Sequence, residues 1–278
     1  MQKVTNEIRV ALPYELVACR HGLMLANCND AFIGRALLDY GECCELELQL
    51  LLSLLHRPGL VIEAGSNMGI HTIPMAKELA LQGRRMLALE PQSVIFQQLC
   101  ANLALNGLMN VTALPYACGI KNGALSFAVP DYHSPGNFGG ASMVAGLVPS
   151  EGYETVQCVR LDDLVPDSAV ALIKIDVEGY ELQVLQGCEQ MLERCHPILY
   201  VENDRVELSP PLIQWLFDHA YRLWWHAPCL FNPDNFRGVA ENHYGEICSV
   251  NMLCVSTDRD FRPSGLIEIV DPFFHPCD

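Results

Sequence analysis

The stretch VIEAGSNMG, residues 61–69, brings an acid and two glycines to a point where a strand passes into a helix. Glu63 lies near the end of the apolar run, and Gly65 and Gly69 follow it. In a doubly wound α/β domain, such a glycine-rich turn usually holds a nucleotide-like ligand. Glu90 closes the next apolar run, and a carboxylate there can accept hydrogen bonds from both hydroxyls of a ribose. These residues predict a nucleotide-like site.

The glycine spacing also bears on which ligand is bound. The dinucleotide fingerprint is GxGxxG, and here Asn67 replaces the central glycine that lets the backbone approach a pyrophosphate. Glu63 would repel a pyrophosphate but would orient a cationic ligand. S-adenosyl-L-methionine carries a sulfonium and an ammonium and has no phosphate, so the pattern favours it over a nicotinamide dinucleotide. The alternative is that Gly65 and Gly69 only form a tight turn and allow close helix packing, without binding a ligand.

A second set of acids follows two further predicted strands. Asp176 and Glu178 lie in IKIDVEGYELQVLQG (173–187), and Glu202 ends the run PILYVEN. Ligands of open α/β sheets bind beyond the carboxyl ends of the strands. A carboxylate within an apolar run also needs a partner, which makes Asp176 a candidate site residue. Glu181 begins the next predicted helix. Its carboxylate could stabilise the helix dipole or bind a ligand, and the sequence does not decide between these two roles.

If S-adenosyl-L-methionine is the ligand and a hydroxyl accepts its methyl group, a further group must remove the hydroxyl proton. Because the transfer is an in-line displacement, positioning supplies much of the rate and a general base completes the site. We expect this base among Asp176, Glu202, His133 and His226. A hydrogen-bonded structural role for His226 and a solvated loop position for His133 are the alternatives. His71, at the start of the helix after the glycine turn, is not expected to be the base.

Two polar loops are candidates for binding the methyl acceptor. Amides and aromatic faces suit a polyhydroxylated acceptor, although Asn is also a common turn residue. These side chains lie in loops 130–143 and 229–245, namely Asn137, Asn232, Asn235, Asn242, Phe138, Phe231 and Phe236.

The elements that must position these residues alternate along the chain. Apolar runs without polar alternation suit parallel strands that are covered on both faces. Helices are predicted at 40–57, 68–81, 92–106, 180–194 and 211–220, and strands at 60–64, 86–90, 111–116, 155–161, 171–177, 197–203, 221–227 and 247–255. Residues 129–153 are predicted to form a long loop. We therefore predict a Rossmann-like α/β fold with a seven-stranded, mostly parallel sheet, helices on both faces and a C-terminal antiparallel hairpin.

Composition argues against two classes of partner. The 278 residues carry a formal net charge of −16 and no long basic run, which disfavours nucleic acid and anionic membranes. No signal-peptide pattern or membrane-spanning run is present, so we expect a cytoplasmic protein. The 13 cysteines form no CxxC pair and the nine histidines no HExxH motif, so no metal site is predicted. Metal assistance through Asp176 and Glu202, and a homo-oligomer, remain open.

Taken together, the motifs resemble those of the FkbM-type methyltransferases. The similarity covers roughly residues 37–255, and we expect an N-terminal extension at 1–36 followed by the methyltransferase domain at 37–278. The segments that carry it are YGE (40–42), VIEAGSNMGIHT (61–72), LALEPQSVIFQQLCANLALNG (87–107), YACG (116–119), VRLDDL (159–164), IKIDVEGYELQVLQG (173–187) and SVNMLCV (249–255).

The resemblance implies a Rossmann-like methyltransferase that uses S-adenosyl-L-methionine, with Asp176 near the methionine end of the cofactor. Two positions depart from the family pattern: Glu63 stands where Asp is usual and Ser66 where Ala is usual. Glu63 keeps the charge on a longer arm, and Ser66 should be tolerated. The cofactor contacts that the resemblance implies are Glu63, Gly65, Asn67, Gly69, Glu90 and Asp176.

The resemblance implies a hydroxyl acceptor, because the family mostly methylates hydroxyl groups of sugars and natural products. We therefore predict O-methylation of a small molecule, sugar or glycan. A nicotinamide-dependent oxidoreductase and a catalytically silent cofactor-binding interaction module are the alternatives. A basic peptide acceptor would also suit the acidic surface.

Overall fold

The computed structural model describes residues 10–140, 144–145 and 152–277. Residues 1–9 of the predicted extension, and residues 141–143 and 146–151 of the predicted loop, lie outside the described residues. None of the described helices is both long and apolar enough to cross a membrane.

Strands and helices alternate through most of the described chain. The strands are β1 (Tyr14–Cys19), β2 (Gly22–Asn27), β3 (Leu60–Ala64), β4 (Met86–Leu89), β5 (Val111–Leu114), β6 (Ala117–Cys118), β7 (Gly123–Ala128), β8 (Val144–Ala145), β9 (Tyr153–Val159), β10 (Val170–Ile175), β11 (Ile198–Glu202), β12 (Tyr221–His226), β13 (Asn251–Ser256) and β14 (Ile267–Ile269). The helices are α1 (Ile33–Tyr40), α2 (Glu45–Ser53), α3 (Thr72–Leu81), α4 (Ser93–Leu105), α5 (Leu161–Leu164), α6 (Glu181–Gln186), α7 (Glu189–Cys195) and α8 (Ser209–Asp218).

The main sheet is mixed and has the strand order β14-β12-β13-β11-β10-β3-β4-β5. Neighbours from β5 to β11 are parallel. β13 pairs antiparallel with β11, β12 with β13, and β14 with β12. The α/β class and the C-terminal antiparallel pair agree with the sequence-based prediction.

The prediction of seven strands was wrong in two respects. The segment predicted as a strand at 155–161 belongs to β9, which lies in a separate four-stranded sheet of order β6-β9-β7-β8. Its alternating polar and apolar residues fit a strand with one exposed face rather than a doubly covered one. The other seven predicted strand segments all lie in the main sheet, which has eight strands because it also contains β14. The three residues of β14 are too few to give a periodic pattern.

Helices cover both faces of the main sheet because successive strand residues point to opposite sides. One face packs on α2 and α3, and the other packs on α6, α7 and α8. Val61, Leu172, Tyr200 and Leu253 face the first layer, and Ile62, Ile173, Val201 and Met252 face the second.

The N-terminal hairpin β1–β2 packs on helix α4. The Leu25 N–H donates to Asn102 Oδ1 at 2.6 Å, and Gln98 Nε2 donates to the Leu25 carbonyl at 2.5 Å. Met24 joins Leu99 in the same apolar cluster. Residues 14–27 are therefore anchored to the rest of the fold, while the domain boundary after residue 36 stays a prediction.

Glycines change the bounds of two predicted helices. The predicted helix at 40–57 is shortened to α2 (Glu45–Ser53), and residues 33–40 form the unpredicted helix α1, which Gly41 ends in a left-handed conformation with φ 69°. The predicted helix at 180–194 divides into α6 and α7 at Gly187, where a Cβ would lie 2.1 Å from the Gly119 carbonyl oxygen. In both places a packing or capping constraint outweighs helical periodicity.

Candidate functional site

A cavity of about 270 Å³ opens at the carboxyl ends of β3, β4, β10 and β11. The chain runs from β3 to β4 on one side and returns through β10 on the other, so the cavity lies at the switch point of the sheet. Residues from every one of these strand ends line it, including Gly65, Asn67, Glu90, Asp176 and Glu202.

The glycine turn after β3 is fixed by its contact with β10. Gly65 has φ 84°, and a Cβ on it would lie 1.7 Å from the Asp176 carbonyl oxygen. The Gly65 and Ser66 N–H groups both donate to the Leu89 carbonyl at 2.9 Å. Only glycine fits this approach, so the turn brings the ends of β3, β4 and β10 to one point.

Glu90 is held by backbone donors on both of its oxygens. The Asn67 N–H donates to Oε2 and the Gln92 N–H to Oε1, each at 2.9 Å. Asn67 itself has φ 48°, a left-handed conformation that Asn tolerates. Burial raises the pKa of Glu90 to about 7, although both backbone donors favour its ionised form. The carboxylate is thus fixed at the cavity wall.

Glu63 and Gly69, two of the predicted cofactor contacts, lie behind the cavity. Glu63 is buried, accepts a hydrogen bond from the Thr72 hydroxyl at 2.5 Å, and has its pKa raised to about 7 by burial. A Cβ at Gly69 would lie 2.9 Å from Leu99 Cδ1, so this glycine lets α4 pack closely. Neither is among the described residues that line the cavity.

Lys174 neutralises part of the acidic wall and was not anticipated from the sequence. Its side chain is 1% exposed, and Nζ lies 2.7 Å from Asp176 Oδ2. Burial alone would lower the pKa of Lys174, but Asp176, Glu47 and Glu63 together raise it above its usual value. The signal was present in the segment IKID, because a lysine in a doubly covered strand needs acidic partners.

Three carboxyl groups converge at the ends of β10 and β11. One oxygen from each of Asp176, Glu178 and Glu202 lies within 4.8 Å of the others, and Arg205 Nη2 donates to Glu178 Oε2 at 2.9 Å. Glu202 Oε2 is buried and has no hydrogen-bond partner among the described residues. Burial, with Asp176 and Glu178 close by, raises the pKa of Glu202 well above its usual value.

The two histidines predicted as base candidates lie away from these acids. His226 Nδ1 is 2.7 Å from the Tyr200 hydroxyl, and burial lowers the pKa of His226. His133 is exposed, and its backbone N–H donates to Asp131 Oδ1 at 3.0 Å. Neither lines the cavity within the described part of the chain, whereas Asp176 and Glu202 do. The catalytic roles of all four remain predictions.

Both predicted acceptor loops reach the rim of the cavity. Asn137 comes from the first loop, and Leu230 and Tyr244 come from the second. The loops are tied to the body by hydrogen bonds, such as Tyr244 Oη to the Phe32 carbonyl at 2.7 Å and Asn232 Nδ2 to Glu42 Oε1 at 2.7 Å.

A further wall of the cavity carries Cys44, Glu47 and His71, which sequence reasoning did not place in the site. Glu47 and His71 are buried. Burial raises the pKa of Glu47 to about 7, and burial beside Lys174 lowers the pKa of His71 well below its usual value. These residues come from α2 and the start of α3, so only helix packing brings them together.

Comparison with known proteins gives a family match over the site. A family model described as "Methyltransferase FkbM domain" matches residues 63–223. "Methyltransferase sdnD" of Sordaria araneosa is 30% identical over 167 residues, which cover 47% of this chain and 60% of that protein. "Hexuronic acid methyltransferase AglP" of Haloferax volcanii is 28% identical over 149 residues, covering 52% of this chain and 56% of that protein.

The chain thus spans about 60% of the length of the first curated relative that it matches. Among solved structures, methyltransferase FkbM from Methylobacillus flagellatus KT has a TM-score of 0.47 at 17% identity, covering 72% of this chain and 45% of that one. M. jannaschii TYW2 in complex with AdoMet has a TM-score of 0.43 at 11% identity, and the match covers 89% of this chain and 87% of that one. Both scores are below 0.5, so the family assignment rests on the sequence match.

Proposed function

This chain belongs to the FkbM methyltransferase family, whose cofactor is S-adenosyl-L-methionine, and on this premise we propose that it methylates a hydroxyl of a small molecule, sugar or glycan. The observation that supports the proposal most strongly is the setting of Glu90. Its two oxygens are fixed by backbone N–H groups beside the glycine turn, at the edge of the cavity. A carboxylate held in this way is suited to accept hydrogen bonds from both hydroxyls of a ribose.

The charge of the cavity supports a cationic cofactor. Of the described residues that line it, six carry a carboxyl group (Glu47, Glu90, Asp176, Glu178, Glu202 and Asp204), and Lys174 carries the opposing charge. Such a wall stabilises a sulfonium and an ammonium and repels a pyrophosphate. We propose that Glu90 binds the ribose, that the turn at Gly65 and Asn67 borders the cofactor, and that Asp176 lies near its methionine end.

We propose Glu202 as the general base. When bound, S-adenosyl-L-methionine supplies an electrophilic methyl group, which bonds to the acceptor oxygen as the carbon–sulfur bond breaks. The hydroxyl proton must leave the oxygen, and Glu202 Oε2 has no competing hydrogen bond in the described structure. Its raised pKa makes it a stronger base than an ordinary carboxylate. Asp176 is the weaker candidate because Lys174 already occupies one of its oxygens.

The acidic wall also limits the charge of the acceptor. A neutral or amino sugar would enter the cavity without repulsion, whereas the carboxylate of a uronic acid would meet several others. We expect kcat/KM for an amino or neutral hexoside to exceed that for the matching uronate at least about tenfold. Labelled methyl transfer from S-adenosyl-L-methionine to the three sugars, at low and at high salt, would measure this.

High salt should reduce the difference between the sugars, because it screens charge. A preference for the uronate would contradict the proposed charge selection while leaving methyl transfer itself supported. Absence of transfer to any hydroxyl acceptor, despite cofactor binding, would favour the interaction-module alternative.

A further inference from the structure

We propose that Cys44, Glu47 and His71 bind one divalent transition-metal ion, with zinc as the best match. These three side chains lie on the wall of the cavity. Cys44 and His71 have no role in the methyl transfer proposed above, and Glu47 enters it only as one of the six carboxyl groups of the wall. The inference does not depend on that function, because ion binding can be measured without an acceptor or a cofactor.

Two packed helices hold the three ligands. Cys44 is the residue that precedes α2, and Glu47 lies on the first turn of that helix, so their side chains are neighbours. His71 is the residue that precedes α3. Leu48 and Leu51 of α2 share an apolar cluster with Met75 and Leu79 of α3, which fixes the helices relative to each other. Cys44 has φ 52°, an uncommon conformation for a residue other than glycine, and such outliers cluster at functional sites.

The distances between the donor atoms suit a shared ion. One donor atom from each residue lies within 4.8 Å of the other two, and His71 Nε2 is 3.5 Å from Glu47 Oε1. A separation of 3.5 Å is too long for a good hydrogen bond. Two ligands bound tetrahedrally to zinc at about 2.0–2.1 Å would be about 3.4 Å apart. The observed spacing therefore matches ligands of one ion more closely than a hydrogen-bonded pair.

The unpartnered atoms of the cluster are an independent indication. Glu47 is 2% exposed and His71 is 4% exposed. Glu47 Oε1 and His71 Nε2 nevertheless find no hydrogen-bond partner among the described residues. Burying such an atom without a partner is costly, and native structures rarely leave two side by side. A cation between them would satisfy both.

The charges around the cluster permit a dication. Binding would displace the thiol proton of Cys44, and the resulting thiolate and the carboxylate of Glu47 would together offset the two charges of the ion. Lys174 faces the same region, where it favours the ionised form of Glu47 and the neutral form of His71, the forms that bind a metal ion; its ammonium also lies 2.7 Å from Asp176 Oδ2. Glu63 is hydrogen-bonded to Thr72 and lies outside the cavity lining. The occupied cluster, made of the ion, the thiolate and the carboxylate, would therefore carry no net charge.

The donor set selects the class of ion and predicts an open coordination position. Thiolate and imidazole ligands favour zinc and related transition metals over magnesium or calcium. Zinc sites with three protein ligands usually leave a fourth position for water or substrate. Since all three residues line the cavity, that position would face it. No metal site was predicted from the sequence, because the ligands are separated along the chain and match no spacing motif.

The test is metal binding by the purified full chain. Elemental analysis after purification without chelators should find about one zinc per chain. The protein stripped of metal should then bind Zn²⁺ in competition with a chelating dye. Co²⁺ should give a thiolate-to-cobalt charge-transfer band. Cys44→Ser should abolish the band, and both Cys44→Ser and His71→Gln should weaken Zn²⁺ binding at least about 100-fold.

Cys43→Ser is the matched control. Cys43 lies next to the cluster, with its sulfur 3.5 Å from that of Cys44, and is not part of the ligand set. Its replacement should leave Zn²⁺ affinity within about threefold of wild type. Circular dichroism of each variant checks folding, and His71→Gln serves as the test if Cys44→Ser does not fold. Absence of a tight site in the wild type, or an equal loss in Cys43→Ser, would overturn the proposal.

Discussion

Replacing Lys174 by methionine should lower the free energy of unfolding by about 3–5 kcal/mol near neutral pH, because it leaves buried carboxyl groups without their cation. The ammonium is 1% exposed and 2.7 Å from Asp176 Oδ2, and it also favours the ionised forms of Glu47 and Glu63. Methionine has a similar shape, so the loss reports charge rather than an empty cavity. Denaturant unfolding followed by circular dichroism measures it.

The pH dependence separates charge from packing. Glu47 and Glu63 each have a pKa of about 7 in the folded protein and a usual value of 4.5. Each therefore holds more proton in the folded than in the unfolded state between these values, so its contribution to stability falls as pH rises through about 7. Without Lys174 both pKa values should rise further. The destabilisation should therefore be larger at about pH 8.5 than at about pH 5.5.

Lys121→Met is the control for this experiment, because Lys121 is exposed. It should change the free energy of unfolding by less than about 0.5 kcal/mol at either pH. A Lys174→Met variant that is as stable as wild type at high pH would contradict the role given to this lysine.

Replacing Glu202 by glutamine should lower kcat about 100- to 10,000-fold, which is the usual contribution of a general base. An amide cannot take the hydroxyl proton, yet it keeps the size of the side chain. The affinity for S-adenosyl-L-methionine should stay within about threefold of wild type, because the proposed ribose contact is Glu90 and not Glu202. Single-turnover methyl transfer together with a binding titration separates the two effects.

The pH profile gives a second readout for Glu202. The base must be ionised, so wild-type kcat should rise with pH through a pKa that lies above the usual glutamate value. The Glu202→Gln variant should lose that rise. Glu193→Gln, on an exposed residue of α7, should behave as wild type. If Glu202→Gln kept full turnover while His226→Gln or His133→Gln lost it, the base would be a histidine.

Several residues that line the cavity could be predicted from the sequence. Gly65, Glu90, Asp176 and Glu202 each follow or end an apolar strand, and parallel strands bring such ends to one edge. This reasoning depends only on local pattern and on the way that α/β sheets are wound. The same pattern identified most strands of the main sheet.

The remainder depends on contacts between distant segments. The local sequence pattern does not show that α2 and α3 bring Glu47 close to His71. It also does not show that the hairpin at 14–27 packs on α4. Glu63 illustrates the same limit: its position at a strand end does not show that its Oε2 accepts a hydrogen bond from the Thr72 hydroxyl, and its contact with the cofactor stays a prediction. Side chains of a strand alternate between faces, so a strand-end acid can point away from the cavity.

The most direct test of the central claim is calorimetric titration of the full chain with S-adenosyl-L-methionine, in parallel with Glu90→Gln and with NADH as a competing cofactor. We predict saturable binding of one molecule per chain. Binding should weaken at least about tenfold in Glu90→Gln, because an amide cannot accept hydrogen bonds on both of its arms. NADH should not bind. Failure of the wild-type protein to bind S-adenosyl-L-methionine, above all with saturable binding of NADH, would contradict the assignment.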